Sequence, residues 1–140
     1  MEFLLKEEKP EVGSFMSLFE STGWNSFYKA TSDQFAKCLA STWYSVSAYH
    51  DNQLIGFGRI ISDGILYGII CDMIVAPAHQ NRGVGTAILD KLKERAEGEG
   101  LRAIWLFSAP GKSEFYRRNG FEERADDAPG MQIKLFLSQS

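Results

Sequence analysis

The chain has 140 residues, 44% of them hydrophobic and 24% charged, with a formal net charge of −3 and a pI near 5.4. That length implies one globular domain, residues 1–140, able to bury roughly two-thirds of its unfolded surface without a disulfide or metal. The acidic balance argues against nucleic-acid binding as the main activity, and no run approaches the ~18 apolar residues of a membrane span.

Residues 3–6 read as a short first strand. Pro10 suits a helix start, and Val12, Phe15, Met16, Leu18 and Phe19 form an apolar helical stripe that Gly23 and Asn25 interrupt. Thr31-Ser32-Asp33-Gln34 reads as a capping box, and its helix carries Phe35, Cys38 and Leu39 at helical spacing. The period then changes to two. Residues 44–50 alternate as a strand, Asp51-Asn52 is a turn, residues 54–61 are the next strand, and Asp63-Gly64 is a hairpin signal. Residues 66–75 are almost continuously apolar, which predicts a central strand in an antiparallel meander.

Pro77 ends that strand. A helix is expected over residues 83–97, with Val84, Ile88, Leu89, Leu92 and Ala96 inward and Asp90, Lys91, Lys93, Glu94 and Arg95 outward. Residues 103–107 form a strand, so strand, helix and strand make a parallel crossover. A short helix over 113–119 and strands over 121–124 and 131–136 complete the prediction. The expected fold is α/β (α+β): a mixed, mostly antiparallel sheet of about six to seven strands flanked by about four helices. Cys38 and Cys71 have no metal-ligand spacing and read as free thiols. Residues 1–8 contain no signal-type apolar run, so the expected compartment is the cytoplasm.

Chemistry concentrates at Gln80-Asn81-Arg82-Gly83-Val84-Gly85-Thr86, a Gly-rich turn between an apolar strand and a helix N-terminus. Such a turn presents free backbone N–H groups to an anion. Position 88 is Ile, so the third Rossmann glycine is missing, and no Gly-Lys-Ser/Thr ending makes a Walker loop.

Gln80-x-x-Gly83-x-Gly85, followed by Phe115-Tyr116-x-x-x-Gly120-Phe121, resembles the GNAT acetyltransferase superfamily across about the whole chain. Leu54-Ile55-Gly56 through Arg59 to Ser62-Asp63, with Cys71-Asp72-Met73-Ile74-Val75-Ala76-Pro77, Leu106-Phe107 and Gly130-Met131, further resembles the plastid-type serotonin N-acetyltransferase branch and its bacterial relatives. That branch would carry a carboxylate just after Phe107, where this chain has Ala109-Pro110-Gly111, so an aromatic amine acceptor is not implied.

The resemblance implies acetyl-CoA as co-substrate and no metal, with the acetyl group passing directly to a primary amine in a ternary complex. It places the diphosphate on the N–H groups of Arg82, Gly83, Val84, Gly85 and Thr86, with side-chain contacts from Gln80 and Arg82. It sets Met73, Ile74 and Val75 at the thioester carbonyl, runs the pantetheine arm between the strands that end at Val75 and Ser108, and counts Phe115 among the cofactor-binding residues. Tyr116 is then the general acid. Asp72 is either the general base or the partner of Arg59. Trp24, Phe27 and Tyr28 either wall an amine pocket or roof the core. The acceptor is a small-molecule amine, with no nucleic acid or membrane partner, and homodimers are common in the superfamily. Acetylation of a protein lysine or N-terminus, and acyl-CoA binding without turnover, are the alternatives.

Overall fold

The computed structural model describes residues 1–135. Two compact units follow one another along the chain, Met1–Leu106 and a second from Phe107 onward.

The first unit is built on a sheet of strands β1 (Leu4–Lys6), β2 (Tyr44–His50), β3 (Gln53–Ser62), β4 (Tyr67–Val75) and β5 (Ala103–Trp105), in that spatial order. Neighbours pair antiparallel from β1 to β4, and β4 pairs parallel with β5. The expected crossover is therefore present, carried by helix α4 (Val84–Gly98). Asp51 and Asn52 both have positive φ, 48° and 63°, as a tight two-residue hairpin turn requires. The Asp63-Gly64 signal instead opens a longer loop, in which the Asp63 carboxylate accepts from the N–H groups of Ile65 and Leu66.

Helices α1 (Val12–Glu20) and α3 (Ser32–Ala40) cover one face of the sheet. Their buried residues Phe15, Leu18, Phe19, Phe35 and Leu39 close on Phe57 and Ile74. The rings meet edge to face, with centroids 5.6 Å apart for Phe15–Phe35 and 4.9 Å for Phe15–Phe57; such pairs add about 0.5–1.5 kcal/mol each beyond area burial. The capping box forms as expected, with Thr31 Oγ1 accepting from Gln34 N–H and Gln34 Oε1 from Thr31 N–H. Within α3, Phe35 and Leu39 are buried but Cys38 is exposed. Cys38 and Cys71 are both free thiols.

Helix α4 covers the other face, and all five residues expected inward are buried. Gly56 and Gly58 of β3 let it approach. A Cβ on Gly56 would lie 2.9 Å from Ile88 and Val84, and one on Gly58 would lie 2.5 Å from Met73 Sδ and 2.9 Å from Ile88. With helices on both faces, the alternation of β2 does not separate core from solvent: Ser45 and Ser47 are buried along with Tyr44, Val46 and Ala48. Ser47 satisfies its hydroxyl by donating to the Glu8 carbonyl at 3.0 Å.

Three expectations change. First, a helix that the sequence analysis did not propose, α2 (Trp24–Tyr28), forms between Gly23 and Lys29, both left-handed. Five α-helices therefore stand among the described residues instead of about four. Second, β4 is not the central strand; it lies one in from β5. Its continuous apolar run has another cause. A bulge changes which face its residues meet.

Third, five strands form among the described residues, not about six to seven. The second unit contains helix α5 (Ser113–Arg118), and no strand is formed at residues 121–124 or 131–135; Phe136, the end of the last expected strand, lies outside the described residues. Over 121–124 the charges fold back on their own unit. Arg117 binds both Glu114 and Glu123 at 2.6 Å, and Arg124 Nε donates to the Ala128 carbonyl at 2.6 Å. Met131, Ile133 and Leu135 do alternate with polar residues, but all three are exposed. A period of two describes a strand only where a neighbour takes up its hydrogen bonds.

Replacing Gly58 with Val should lower the unfolding free energy by about 1–3 kcal/mol, because the new atoms overlap Met73 and Ile88. Denaturant melts measure it, and an unchanged midpoint would contradict the close helix–sheet contact.

Candidate active site

The end of β4 is irregular in a specific way. Phe57 pairs with Ile74 while Arg59 pairs with Cys71, so Gly58 faces two residues, Asp72 and Met73. This is a β-bulge, and Asp72 occupies its left-handed position with φ 55°. The extra residue reverses the alternation. Cys71 and Ile74 lie on the α1/α3 face, as the pairings with Arg59 and Phe57 require, whereas Met73 lies over Gly58 on the α4 face. The apolar run of β4 thus serves each face in turn.

Beyond the bulge β4 is open on one side. Its parallel pairing with β5 ends at Ile69–Trp105, while β4 continues through residues 70–75. Among the described residues no strand takes up that edge. Met73, Ile74 and Val75, the expected carbonyl-facing residues, all lie on this stretch.

A 3-10 turn, Pro77–His79, leads from β4 to the Gly-rich turn. Asn81 and Gly83 are both left-handed, with φ 62° and 84°. Gly83 is the N-cap of α4, with no side-chain cap and no acidic residue in the first turn. The first intrahelical bond is Ala87 N–H to the Gly83 carbonyl, at 3.0 Å. The N–H groups of Val84, Gly85 and Thr86 therefore have no partner within the helix, at the end where its dipole is positive. Nothing lies within 4 Å of where a Gly83 Cβ would sit, so the cradle is open. Gln80 does not reach out towards it; its amide donates to the Val75 carbonyl at 3.1 Å, tying the turn to the end of β4. Arg82 and Thr86 are exposed.

Of the two roles open to Asp72, the pair with Arg59 is formed. Arg59 Nε donates to Asp72 Oδ2 at 2.6 Å. Arg59 is buried, and its Nη1 also donates to the Cys38 carbonyl at 3.0 Å and to Thr42 Oγ1 at 3.2 Å. Trp24 takes the roofing role, packed edge to face on Phe19 with centroids 5.6 Å apart. Phe27 and Tyr28 instead form an exposed edge-to-face pair at 5.3 Å.

Ser108, Phe115 and Tyr116 belong to the second unit. Ser108 Oγ donates to the Ala109 carbonyl at 2.9 Å. Tyr116 is half-buried on α5 between Phe115 and Phe121, at 5.1 and 5.9 Å. Burial pushes its phenol pKa above the ordinary value of 10.0. No group of three or more side chains suited to a metal occurs among the described residues.

Sequence reasoning missed Gly58 and the bulge. The available signal for Gly58 was a second glycine two residues after Gly56, inside a strand, which marks a close approach. The left-handed Asp72 has no pattern-level signal beyond an aspartate in an apolar run.

A mixed sheet whose strand β4 runs on without a strand partner on one side over residues 70–75, and then leads to an uncapped helix start, offers backbone groups to an extended, anionic ligand. The comparisons with known proteins make it specific. Residues 41–123 match the family described as Acetyltransferase (GNAT) domain, and the chain belongs to that family. Its members use acetyl-CoA as co-substrate. The chain is 36% identical over 77 residues to GCN5-related N-acetyltransferase 1, chloroplastic, of Arabidopsis thaliana, covering 55% of this chain and 39% of that protein. It is 27% identical over 125 residues to Serotonin N-acetyltransferase 2, chloroplastic, of rice (Oryza sativa subsp. japonica), covering 86% and 61%. It therefore spans less than two-thirds of the length of these relatives, 39% of the first and 61% of the second. A solved GNAT-family acetyltransferase of Streptococcus pneumoniae has the same fold, with a TM-score of 0.81 at 20% identity over 95% of this chain and 98% of that one. No helix among the described residues is long and apolar enough to cross a membrane.

Gly83→Ala should cost about 1–2 kcal/mol of stability from backbone strain alone, since φ is 84° and the surrounding space is open. Chemical denaturation reads this, and a stabilised variant would contradict the left-handed cap.

Proposed function

We propose that the protein is an acetyl-CoA-dependent N-acetyltransferase that acts on a primary amine of a small molecule. The observation that carries this reading is the start of α4, a long helix whose N-cap is a left-handed glycine with neither a side-chain cap nor an acidic neighbour. The N–H groups of residues 83–86 bind the coenzyme diphosphate, and the helix dipole adds about half a positive charge there. The open edge of β4 over residues 70–75 pairs with the amide-rich pantetheine arm as a further strand would. Backbone N–H groups among Met73, Ile74 and Val75 stabilise the oxyanion formed when the amine attacks the thioester carbon.

Tyr116 donates its phenolic proton to the departing thiolate. Its raised pKa keeps the phenol protonated throughout the neutral range. The Asp72 carboxylate is held by Arg59, so we assign loss of the amine proton to solvent. Phe27 and Tyr28 present apolar surface to the acceptor. In this proposal residues 1–140 act as one catalytic domain, in the cytoplasm and as a homodimer, with neither nucleic acid nor membrane among the partners.

Acetyl-CoA and CoA should each raise the melting temperature, since a ligand at a hundred times its Kd adds about 2.7 kcal/mol. ATP and NAD should not, and Gly83→Glu should remove the CoA response. Equal shifts with all four ligands would contradict the coenzyme assignment. Turnover is read as CoA release across tryptamine-like amines, polyamines, amino sugars and a lysine peptide. Activity confined to the peptide would overturn the small-molecule acceptor.

Tyr116→Phe should lower kcat by about a hundredfold while leaving CoA binding intact. In the wild type, loss of activity through Tyr116 ionisation should set in at a higher pH than for an ordinary tyrosine phenol, because burial raises its pKa. The sign for stability is the same. A raised phenol pKa stabilises the fold below the unfolded value and loses that contribution as pH rises through the folded one. Unchanged turnover in Tyr116→Phe would remove this residue from the mechanism.

A further inference from the structure

Asp72 is left-handed inside a strand, a conformation that Asp and Asn adopt more readily than other non-glycine residues but that is uncommon away from turns. The side chain supplies a restraint. Its carboxylate is tied at 2.6 Å to Arg59, and Arg59 is itself buried and fixed at two further points, the Cys38 carbonyl and Thr42 Oγ1. Cys38 lies in the last turn of α3. The guanidinium therefore satisfies a helix-terminal carbonyl with a cation, where the dipole favours positive charge, and holds the bulge with the same group. A planar fork suits this task in a way that an ammonium does not.

We infer that Arg59 is a positioning residue: through Asp72 it latches the β4 bulge to the end of α3 and so fixes the direction of the backbone N–H groups that follow. This rests on the acetyl-transfer reading, in which those groups meet the thioester carbonyl. It assigns Asp72 a structural task at the site in place of proton abstraction. An oxyanion donor acts only if it is aimed before the charge develops. Loosening the latch therefore reduces the rate of the chemical step without removing the cradle at Gly83, which is built on a different element.

Two measurements on the full chain test the latch. The first is amide hydrogen exchange in the wild type, Arg59→Gln, Arg59→Lys and Asp72→Asn. Exchange of the Met73 and Ile74 amides should rise by about tenfold or more in Arg59→Gln, with Ile88 and Leu92 of α4 unchanged. Uniform loosening of both regions, or no change in either, would overturn the inference. The second is kinetic, with the amine that the acceptor panel identifies. Arg59→Gln and Asp72→Asn should each lower kcat by about tenfold or more and leave KM for acetyl-CoA within about twofold. The double variant should be no worse than the more impaired single one. Arg59→Lys should recover only part of the rate. Asp72→Asn should keep the wild-type shape of the kcat–pH profile; loss of a limb of that profile in Asp72→Asn alone would make Asp72 a base and overturn its latch role. If the wild type neither binds CoA nor turns over, the acetyl-transfer reading falls, and the exchange comparison still decides whether Arg59 holds the bulge.

Discussion

One left-handed residue, Asp72, governs the end of β4. Before it, Tyr67, Ile69 and Cys71 share the face that Arg59 and Ile61 occupy on β3. After it, the faces are exchanged, so that Ile74 joins the aromatic core under α1 and α3 while Met73 covers Gly58 beneath α4. A regular strand would send Met73 into the first layer and Ile74 into the second. The bulge therefore satisfies two hydrophobic layers with one strand, and it also interrupts the regular β3–β4 ladder just before Met73 and Ile74.

The second constraint is how closely α4 can lie on the sheet. Gly56 and Gly58 remove the side chains that would keep it away, and Val84, Ile88 and Leu92 occupy the space. Val84 is the first residue of the helix and is buried, so the packing contact sits beside the uncapped helix start. Gln80 adds a direct tie from the turn to the Val75 carbonyl. Bulge, open strand edge and helix start are thus one continuous piece of chain, residues 70–86, held by glycines on one side and by Arg59 on the other. The core that supports it is aromatic and largely local to α1, α3 and β3.

Most of this framework was legible in the sequence because it depends on pattern. The capping box at Thr31, the Asp51-Asn52 turn, the inward face of α4 and the parallel crossover all follow from spacing and residue type. The Gly83 turn was legible for the same reason: only certain residues tolerate its backbone. What failed depended on partners that spacing does not reveal. Met131, Ile133 and Leu135 have a strand's alternation without a strand partner among the described residues, and residues 121–124 are held by Arg117 and Arg124 as a loop. The burial of Ser45 and Ser47 reflects helices on both faces, which alternation in β2 alone does not reveal. At the site, sequence reasoning could name Asp72 and Arg59 together but could not choose between an ion pair and a base, because that choice lies in a distance.

On the proposed function, the backbone of the α4 N-terminus holds the coenzyme diphosphate. Titrating the isotopically labelled protein with CoA and following backbone amide shifts tests it most directly. The amides of Gly83, Val84, Gly85 and Thr86 should shift most, together with those of residues 73–75 along the open edge of β4. Saturable CoA binding that leaves these amides unmoved, or no binding at all, would contradict it.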